Sequence, residues 1–210
     1  MPPRVAYSKE MMVEAACSIV RCRGLEELNA RSLAREIGGS TQPIYRVFAS
    51  IEEVVAEVIK SQTPYVLSFM LEAKDDESEF LSIGLGYLRF AREEPHLFKL
   101  FFTSGRTRWD FTRHSEFMQP LLRKMRRDWY LRDLSDQVLR QLFLDMFLYT
   151  HGLCTVSQLD TGEKDPQRER QMLHDVGGQL IFMTLIREKQ PELLNKWERS
   201  FKNEDISFKW

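Results

Sequence analysis

The sequence has few cysteines and no long apolar run. Its three cysteines, Cys17, Cys22 and Cys154, are odd in number and lack paired spacing, so neither a disulfide framework nor a four-ligand zinc site is indicated. No stretch approaches the roughly 18 apolar residues of a membrane span, and the opening residues lack the apolar core of a secretory signal. We therefore expect reduced thiols, no membrane partner and a cytoplasmic location.

Patterns for catalysis and metal binding are missing as well. The four histidines are scattered, and no pair of them has metal-ligand spacing within one helix. Neither a Ser/His/Asp set nor a Cys/His set is visible. The sequence therefore predicts no enzyme, no metal site and no cofactor, and only a measured turnover would revive an all-helical enzyme as an alternative.

The net charge of −1 gives the chain no overall basic character. Binding to nucleic acid would therefore depend on a local surface. Residues 1–50 contain seven basic and five acidic residues, a net charge of +2, whereas the chain as a whole is slightly acidic. This mild asymmetry favours the N-terminal part as the site of such a surface.

Helical periodicity, broken by short turns, dominates the whole chain, and no segment is typical of a β-strand. The sequence therefore predicts an all-α fold. Ser8, Asn29 and Ser40 are suitable N-caps, and Ser50 and Glu53 form a capping box. The first four helices are expected at about 9–23, 30–37, 40–47 and 51–73.

Turn and capping signals divide the rest of the chain in the same way. Pro120 either starts the regular part of one helix or kinks it. The basic run at 123–127 is interpreted as a solvated helix face. The predicted segments are a helix at 78–94, a short apolar segment at 96–102, a loop at 103–114, a helix at 115–131, a helix at 135–159, a turn at 160–164, a helix at 165–189 and a tail after 191.

Three short helices with a tight turn between the second and third have the layout of a helix-turn-helix. The turn is Gly38-Gly39-Ser40. The second helix has to stop abruptly there so that the third can leave at a steep angle, and glycine adopts the required left-handed backbone at little cost.

The residues around this turn resemble a known family. Residues 33–40 read Leu-Ala-Arg-Glu-Ile-Gly-Gly-Ser and are followed by Ile44-Tyr45 and Phe48. This spacing resembles the pattern of TetR-type bacterial transcriptional regulators over about residues 8–54. The resemblance implies a sequence-specific DNA-binding regulator, expected to be a repressor that a small-molecule effector releases from its operator.

The resemblance also implies a domain organisation. Residues 1–54 are expected to form the helix-turn-helix domain, and residues 55–210 a helical ligand-binding and dimerisation domain. Within the second part, residues 91–98 and 149–152 resemble common positions of the family. The alternative from another class is a dimeric helical adaptor that keeps the fold without binding an operator.

The resemblance implies that the helix from Ser40 to Val47 lies in the major groove of double-stranded DNA and that Tyr45 donates its hydroxyl to a backbone phosphate. Gln42 and Arg46 suit adenine and guanine edges respectively. Without the surrounding pattern, these side chains could equally be solvated residues of a surface helix. The expected DNA-binding residues are Arg31, Ser32, Ser40, Thr41, Gln42, Tyr45 and Arg46.

Two positions depart from the family pattern. Gly39 stands where the family commonly has valine, and Ile51 stands where it commonly has a lysine that reaches phosphate. Because Ile51 cannot reach phosphate as a lysine does, the expected affinity for the DNA backbone is lower. Arg31 and Ser32 are expected to compensate by contacting phosphate beside the start of the second helix.

The helix at 135–159 is apolar on two sides, and such a helix is covered on two sides. Gly177 and Gly178 lower helix propensity in the next helix, which favours a close helix crossing there. We expect a homodimer held by the helices at 135–159 and 165–189, because a two-fold unit is suited to a near-palindromic operator. Burial inside one monomer is the alternative.

The effector pocket is the remaining expectation. The aromatic and methionine content of residues 60–160 suits a bulky, largely apolar ligand, and it suits an ordinary core equally well. The identity of the effector is left open. The candidate lining residues are Phe90, Phe98, Phe102, Trp109, Met118, Met146 and Tyr149.

Overall fold

A computed structural model describes residues 7–74, 78–107, 115–157, 165–192 and 195. These ranges are helical and contain no β-strand, which confirms the predicted all-α class. Among the helices in these ranges, none combines the length and the apolar character that crossing a membrane requires. No disulfide joins the three cysteines.

The helix bounds follow the sequence signals closely. The first helices are α1 (Lys9–Arg23), a 3-10 turn (Leu25–Glu27), α2 (Ala30–Glu36), α3 (Thr41–Val47) and α4 (Ile51–Glu72). The later ones are α5 (Glu79–Glu93), α6 (Pro95–Phe98), a π-helical turn (Lys99–Thr103), α7 (Ser115–Met125), α8 (Asp136–Ser157) and α9 (Pro166–Lys189).

Side-chain caps hold the starts of several helices. The Ser8 hydroxyl accepts from the backbone N–H of Met11 at 3.2 Å and caps α1. The Ser50 hydroxyl accepts from the Glu53 N–H at 3.3 Å, while the Glu53 carboxylate reaches back to the Ala49 N–H at 2.7 Å. The predicted capping box is therefore present at α4, with its return bond shifted by one residue.

Two predicted segments differ in the structure. The apolar segment at 96–102 is helical, because Pro95 occupies the first turn of α6, where its missing N–H is harmless. The helix predicted to reach residue 131 ends at Met125, since the Arg126 guanidinium donates to the carbonyls of Arg132 and Leu134 at 2.7 Å and folds this stretch into turns. Pro120 lies inside α7.

Some predicted features lie outside the described residues. These are most of the predicted loop (108–114), the end of the helix at 135–159 (158–159), the turn at 160–164, and the tail except residues 191, 192 and 195.

The chain divides into two compact units. Unit 1 takes the described residues of Met1–Ala73 and Gly86–Arg113, and unit 2 takes those of Lys74–Leu85 and His114–Trp210. Unit 1 contains all of the predicted helix-turn-helix. The predicted division into 1–54 and 55–210 stays a prediction.

Unit 1 has an aromatic core. The Phe69 and Phe90 rings meet edge to face at a centroid distance of 5.3 Å, and Tyr87 meets Phe98 and Phe102 at 5.7 and 5.0 Å. Phe90 and Phe98 are almost completely buried. Edge-to-face pairs of this kind add to the free energy gained by burying the rings.

Unit 2 is organised around a buried carboxylate. Asp128 accepts from the Ser78 hydroxyl and the Phe80 N–H through one oxygen, at 2.8 and 2.9 Å, and from the Glu79 N–H through the other, at 2.8 Å. It thereby satisfies donors at the start of α5 that have no partner within the helix.

The basic run at 123–127 is not simply a solvated face, as its sequence suggested. The Lys124 side chain is buried and pairs with Glu79 at 3.0 Å. Its hydrogen bond is the main reason that the pKa of the Glu79 carboxyl lies below its usual range. Arg126 pairs with Asp136 at 2.6 Å.

The predicted close crossing falls at Gly177 alone. A Cβ atom on Gly177 would lie 2.1 Å from Cδ2 of Leu81, so a side chain there has no room without a shift of Leu81. A Cβ atom on Gly178 would meet no atom within 4 Å in the described chain. The helix breaker at 177 is therefore compensated by close packing inside unit 2.

Replacement of Asp128 tests its role in unit 2. We expect Asp128→Ala to lower the free energy of unfolding by about 3 kcal/mol, because buried N–H donors lose their acceptor. Asp128→Asn keeps one acceptor oxygen and should lose less. Urea unfolding measures both effects, and Asp133→Asn, at an exposed position, serves as the control. Equal urea midpoints for Asp128→Ala and the control would contradict the assignment.

Candidate nucleic-acid interface

The start of α2 is closed by a capping box. The Asn29 side-chain oxygen accepts from the N–H groups of Arg31 and Ser32 at 3.1 and 3.0 Å. In return, the Ser32 hydroxyl accepts from the Asn29 N–H at 3.0 Å and donates toward the Glu27 carbonyl at 2.6 Å. Both halves of the box are therefore made within the chain.

This box changes the expectation for Ser32. The predicted phosphate contact beside the start of α2 needs donors, but the single Ser32 hydroxyl proton and two backbone N–H groups are already engaged. The Arg31 side chain is exposed and has no hydrogen bond or ion pair to any residue that the structure describes. Of the two, Arg31 is the one available to an external anion.

The turn from α2 to α3 follows the predicted glycines. Gly38 has a φ angle of +69°, in the left-handed region that favours glycine. The Gly38 N–H donates to the Arg35 carbonyl at 3.1 Å, and the Gly39 N–H donates to the Ala34 carbonyl at 2.8 Å, so carbonyls at the end of α2 are satisfied.

Helix α3 buries one side and exposes the other. Ile44 and Phe48 are each about 1% exposed, whereas the Tyr45 side chain is 56% exposed. Gln42 lies on the same outer side as Tyr45 and Arg46, because residues three and four positions apart are neighbours on a helix surface, and all three are exposed. Within the described part of the chain, these three side chains make no hydrogen bond or ion pair.

Ser40 stands at the N-cap position of α3, as predicted, but its side chain makes no capping bond. An N-cap oxygen accepts from the second or third N–H of its helix. The third residue of α3 is Pro43, which has no N–H, so one of the two donors that the Ser40 hydroxyl could accept from is absent. Ser40 is exposed and Thr41 is half-buried at the start of the outer side of α3.

Three arginines of α2 and α3 have no ion pair within the described chain. Arg23 is paired with Glu36 at 2.7 Å, whereas Arg31, Arg35 and Arg46 are exposed and have no ion pair to any described residue. Arg35 was not among the predicted DNA-binding residues. Its position four residues after Arg31 on α2 is the sequence signal that identifies it, because such residues share a helix face.

The seven predicted effector-pocket residues are divided between the units. Phe90, Phe98 and Phe102 belong to the aromatic core of unit 1, while Met118, Met146 and Tyr149 belong to unit 2. Trp109 lies outside the described residues. Met118 and Met146 are buried, and Tyr149 is half-buried. Their role as a ligand-binding set stays a prediction.

Unit 1 has a cleft of about 850 Å³, and none of the six pocket candidates that the structure describes lines it. Cys17 lies in it, with its sulfur 3.3 Å from both the Ser61 hydroxyl and the Gln62 amide nitrogen. Burial raises the pKa of the Cys17 thiol despite these contacts, so the thiol stays protonated at neutral pH. Arg21 and Glu94 also line this cleft and form an ion pair with each other.

The described residues contain no group of three or more His, Cys, Asp or Glu side chains placed to hold a metal ion. No protein-family model and no curated protein matches the chain.

Proposed function

We propose that this protein is a DNA-binding transcriptional regulator of the TetR type that reads a near-palindromic operator as a homodimer. One observation carries the proposal. In α3 and the residue after it, Ile44 and Phe48 are buried, while Gln42, Tyr45 and Arg46 face outward and make no hydrogen bond or ion pair in the described chain. A short helix that follows a tight glycine turn and exposes such side chains is suited to the major groove.

The exposed groups fall into the two classes of contact that DNA recognition requires. The amide of Gln42 matches an adenine edge, and the guanidinium of Arg46 matches a guanine edge. The Tyr45 hydroxyl is suited to a phosphate oxygen. Arg31 and Arg35, on the neighbouring helix α2, supply positive charge for the phosphates of the DNA backbone. They take the place of the lysine that the family commonly has where this chain has Ile51.

Support for a dimer comes from unit 2, although not from the surface that the sequence suggested. The two predicted apolar faces of α8 are largely buried within the unit. Four large apolar side chains of the unit remain exposed, namely Leu148 and Val156 on α8 and Phe182 and Met183 on α9, at 60%, 50%, 62% and 37% exposure. A second copy of the chain would remove this apolar surface from water.

Release by a small-molecule effector completes the proposal and rests on the family resemblance. A ligand that binds one dimer conformation better than another would shift the reading helices and lower operator affinity. A bulky apolar ligand is expected to raise the melting temperature and to release DNA at the same concentrations. A ligand set that stabilises the protein without releasing DNA would separate binding from regulation.

Substitutions on α3 test the reading function. A duplex selected from a random library by the wild-type protein serves as operator, and a random duplex as non-specific DNA. Tyr45→Phe should weaken both by about 1 kcal/mol, the worth of one hydrogen bond. Gln42→Ala and Arg46→Ala should each cost roughly 1 to 3 kcal/mol on the selected duplex alone and relax preference at one position per half-site.

The alternatives give different results in the same titrations. If Arg46 contacts phosphate, its loss weakens both duplexes and flattens the salt dependence. A dimeric adaptor yields no selected sequence at all. Wild-type affinity in all three variants at matched salt would show that α3 is not the reading helix.

A charge placed among the exposed apolar side chains of α8 and α9 tests the dimer. We expect Phe182→Glu to be monomeric at micromolar concentration, because the interface would have to bury an unpaired carboxylate. Light scattering coupled to gel filtration measures the mass. Met11→Glu adds the same charge at another exposed apolar position, in unit 1, and should stay dimeric. A monomeric wild-type protein, or a dimeric Phe182→Glu, would contradict the proposed interface.

A further inference from the structure

Two residues beside the start of α1, Tyr7 and Lys9, contact the segments before and after α3. Tyr7, just before α1, donates its hydroxyl to the Gly38 carbonyl in the turn that precedes α3, at 3.1 Å. Lys9, in the first turn of α1, places its ammonium 5.6 Å from the ring centroid of Phe48, directly after α3. Lys9 is itself held by Glu57 on α4 at 2.8 Å.

The Tyr7 ring gives a reason for the glycine at position 39, where the backbone conformation does not require one. Gly38 has a positive φ angle, but Gly39 does not, so its backbone would accept other residues. A Cβ atom on Gly39 would lie 2.7 Å from the Tyr7 hydroxyl oxygen and 2.8 Å from Cζ. A side chain at position 39 therefore requires the Tyr7 ring to shift from the position in which its hydroxyl bonds to Gly38.

We propose that Tyr7 is a positioning residue for the reading helix, and that Gly39 is its matched partner. The ring of Tyr7 covers the turn at the position where the sequence departs from the pattern it resembles. By holding the turn, Tyr7 fixes where α3 begins and how its outer side is presented. The consequence for DNA rests on the proposed function, whereas the hold on the turn does not.

The two kinds of DNA contact respond differently to a looser turn. Base-edge hydrogen bonds need a fixed geometry, while attraction to phosphates tolerates small displacements. Loss of the Tyr7 contact is therefore expected to reduce affinity for a selected duplex more than affinity for a random duplex.

The experiment uses four variants of the full chain, Tyr7→Phe, Tyr7→Ala, Gly39→Ala and the double variant Tyr7→Ala/Gly39→Ala. Tyr7→Phe removes one hydrogen bond and should weaken the selected duplex about fivefold. Tyr7→Ala and Gly39→Ala should each weaken it about tenfold or more, with a smaller effect on random DNA. The double variant should be no weaker than Tyr7→Ala, because both changes remove the same contact. Met11→Ala, at an exposed position on α1, is the control.

Amide hydrogen exchange gives a readout without DNA. The N–H groups at positions 38 and 39, which donate to the carbonyls of Arg35 and Ala34, should lose protection in Tyr7→Ala and in Gly39→Ala relative to the wild type and to Met11→Ala. Unchanged exchange at these amides overturns the proposal, and so does additivity of the two substitutions. If exchange behaves as expected while the wild type selects no DNA sequence, the hold on the turn stands and the proposed function fails. Faster exchange with unchanged affinity for the selected duplex overturns the positioning role.

Discussion

The candidate interface depends on two helices that are too short to be stable alone. Helices α2 and α3 have seven residues each, well below the roughly 12 residues at which an isolated helix becomes even marginal in water. Helix α3 is therefore held by the burial of Ile44 and Phe48, each about 1% exposed. Because the same two side chains fix the rotation of the helix about its axis, they also determine that Gln42, Tyr45 and Arg46 face outward.

Charge pairing in unit 1 has a similar selective effect. Several cations are neutralised by carboxylates from other elements, including Arg21 by Glu94 and Lys9 by Glu57. Each such exposed or partly exposed pair adds little stability. These pairs do not involve the exposed arginines of α2 and α3, which have no ion pair to any described residue. A chain of net charge −1 thereby presents exposed, unpaired arginines on α2 and α3 within its described residues.

Unit 2 illustrates how one helix can be apolar on more than one side for different reasons. The faces of α8 that contain Leu142 and Phe143 merge into one broad buried surface, which includes Leu153 and Cys154. Leu148 and Val156 lie outside this surface and are exposed. Periodicity counts apolar residues on a face, but it does not say whether the neighbouring surface belongs to the same chain. The exposed apolar residues could therefore be identified only after the internal packing was known.

Local signals determined most of the helical pattern. Caps and tight turns depend on residues only a few positions apart, so they can be predicted from the sequence. Examples are the caps at Ser8 and Asn29 and the left-handed backbone of Gly38. Contacts between distant residues were decided by the tertiary structure. Asp128 meets the start of α5 about fifty residues earlier, and the ring of Tyr7 occupies the space over Gly39. No local pattern encodes these contacts, because they arise only when packing brings the two segments together.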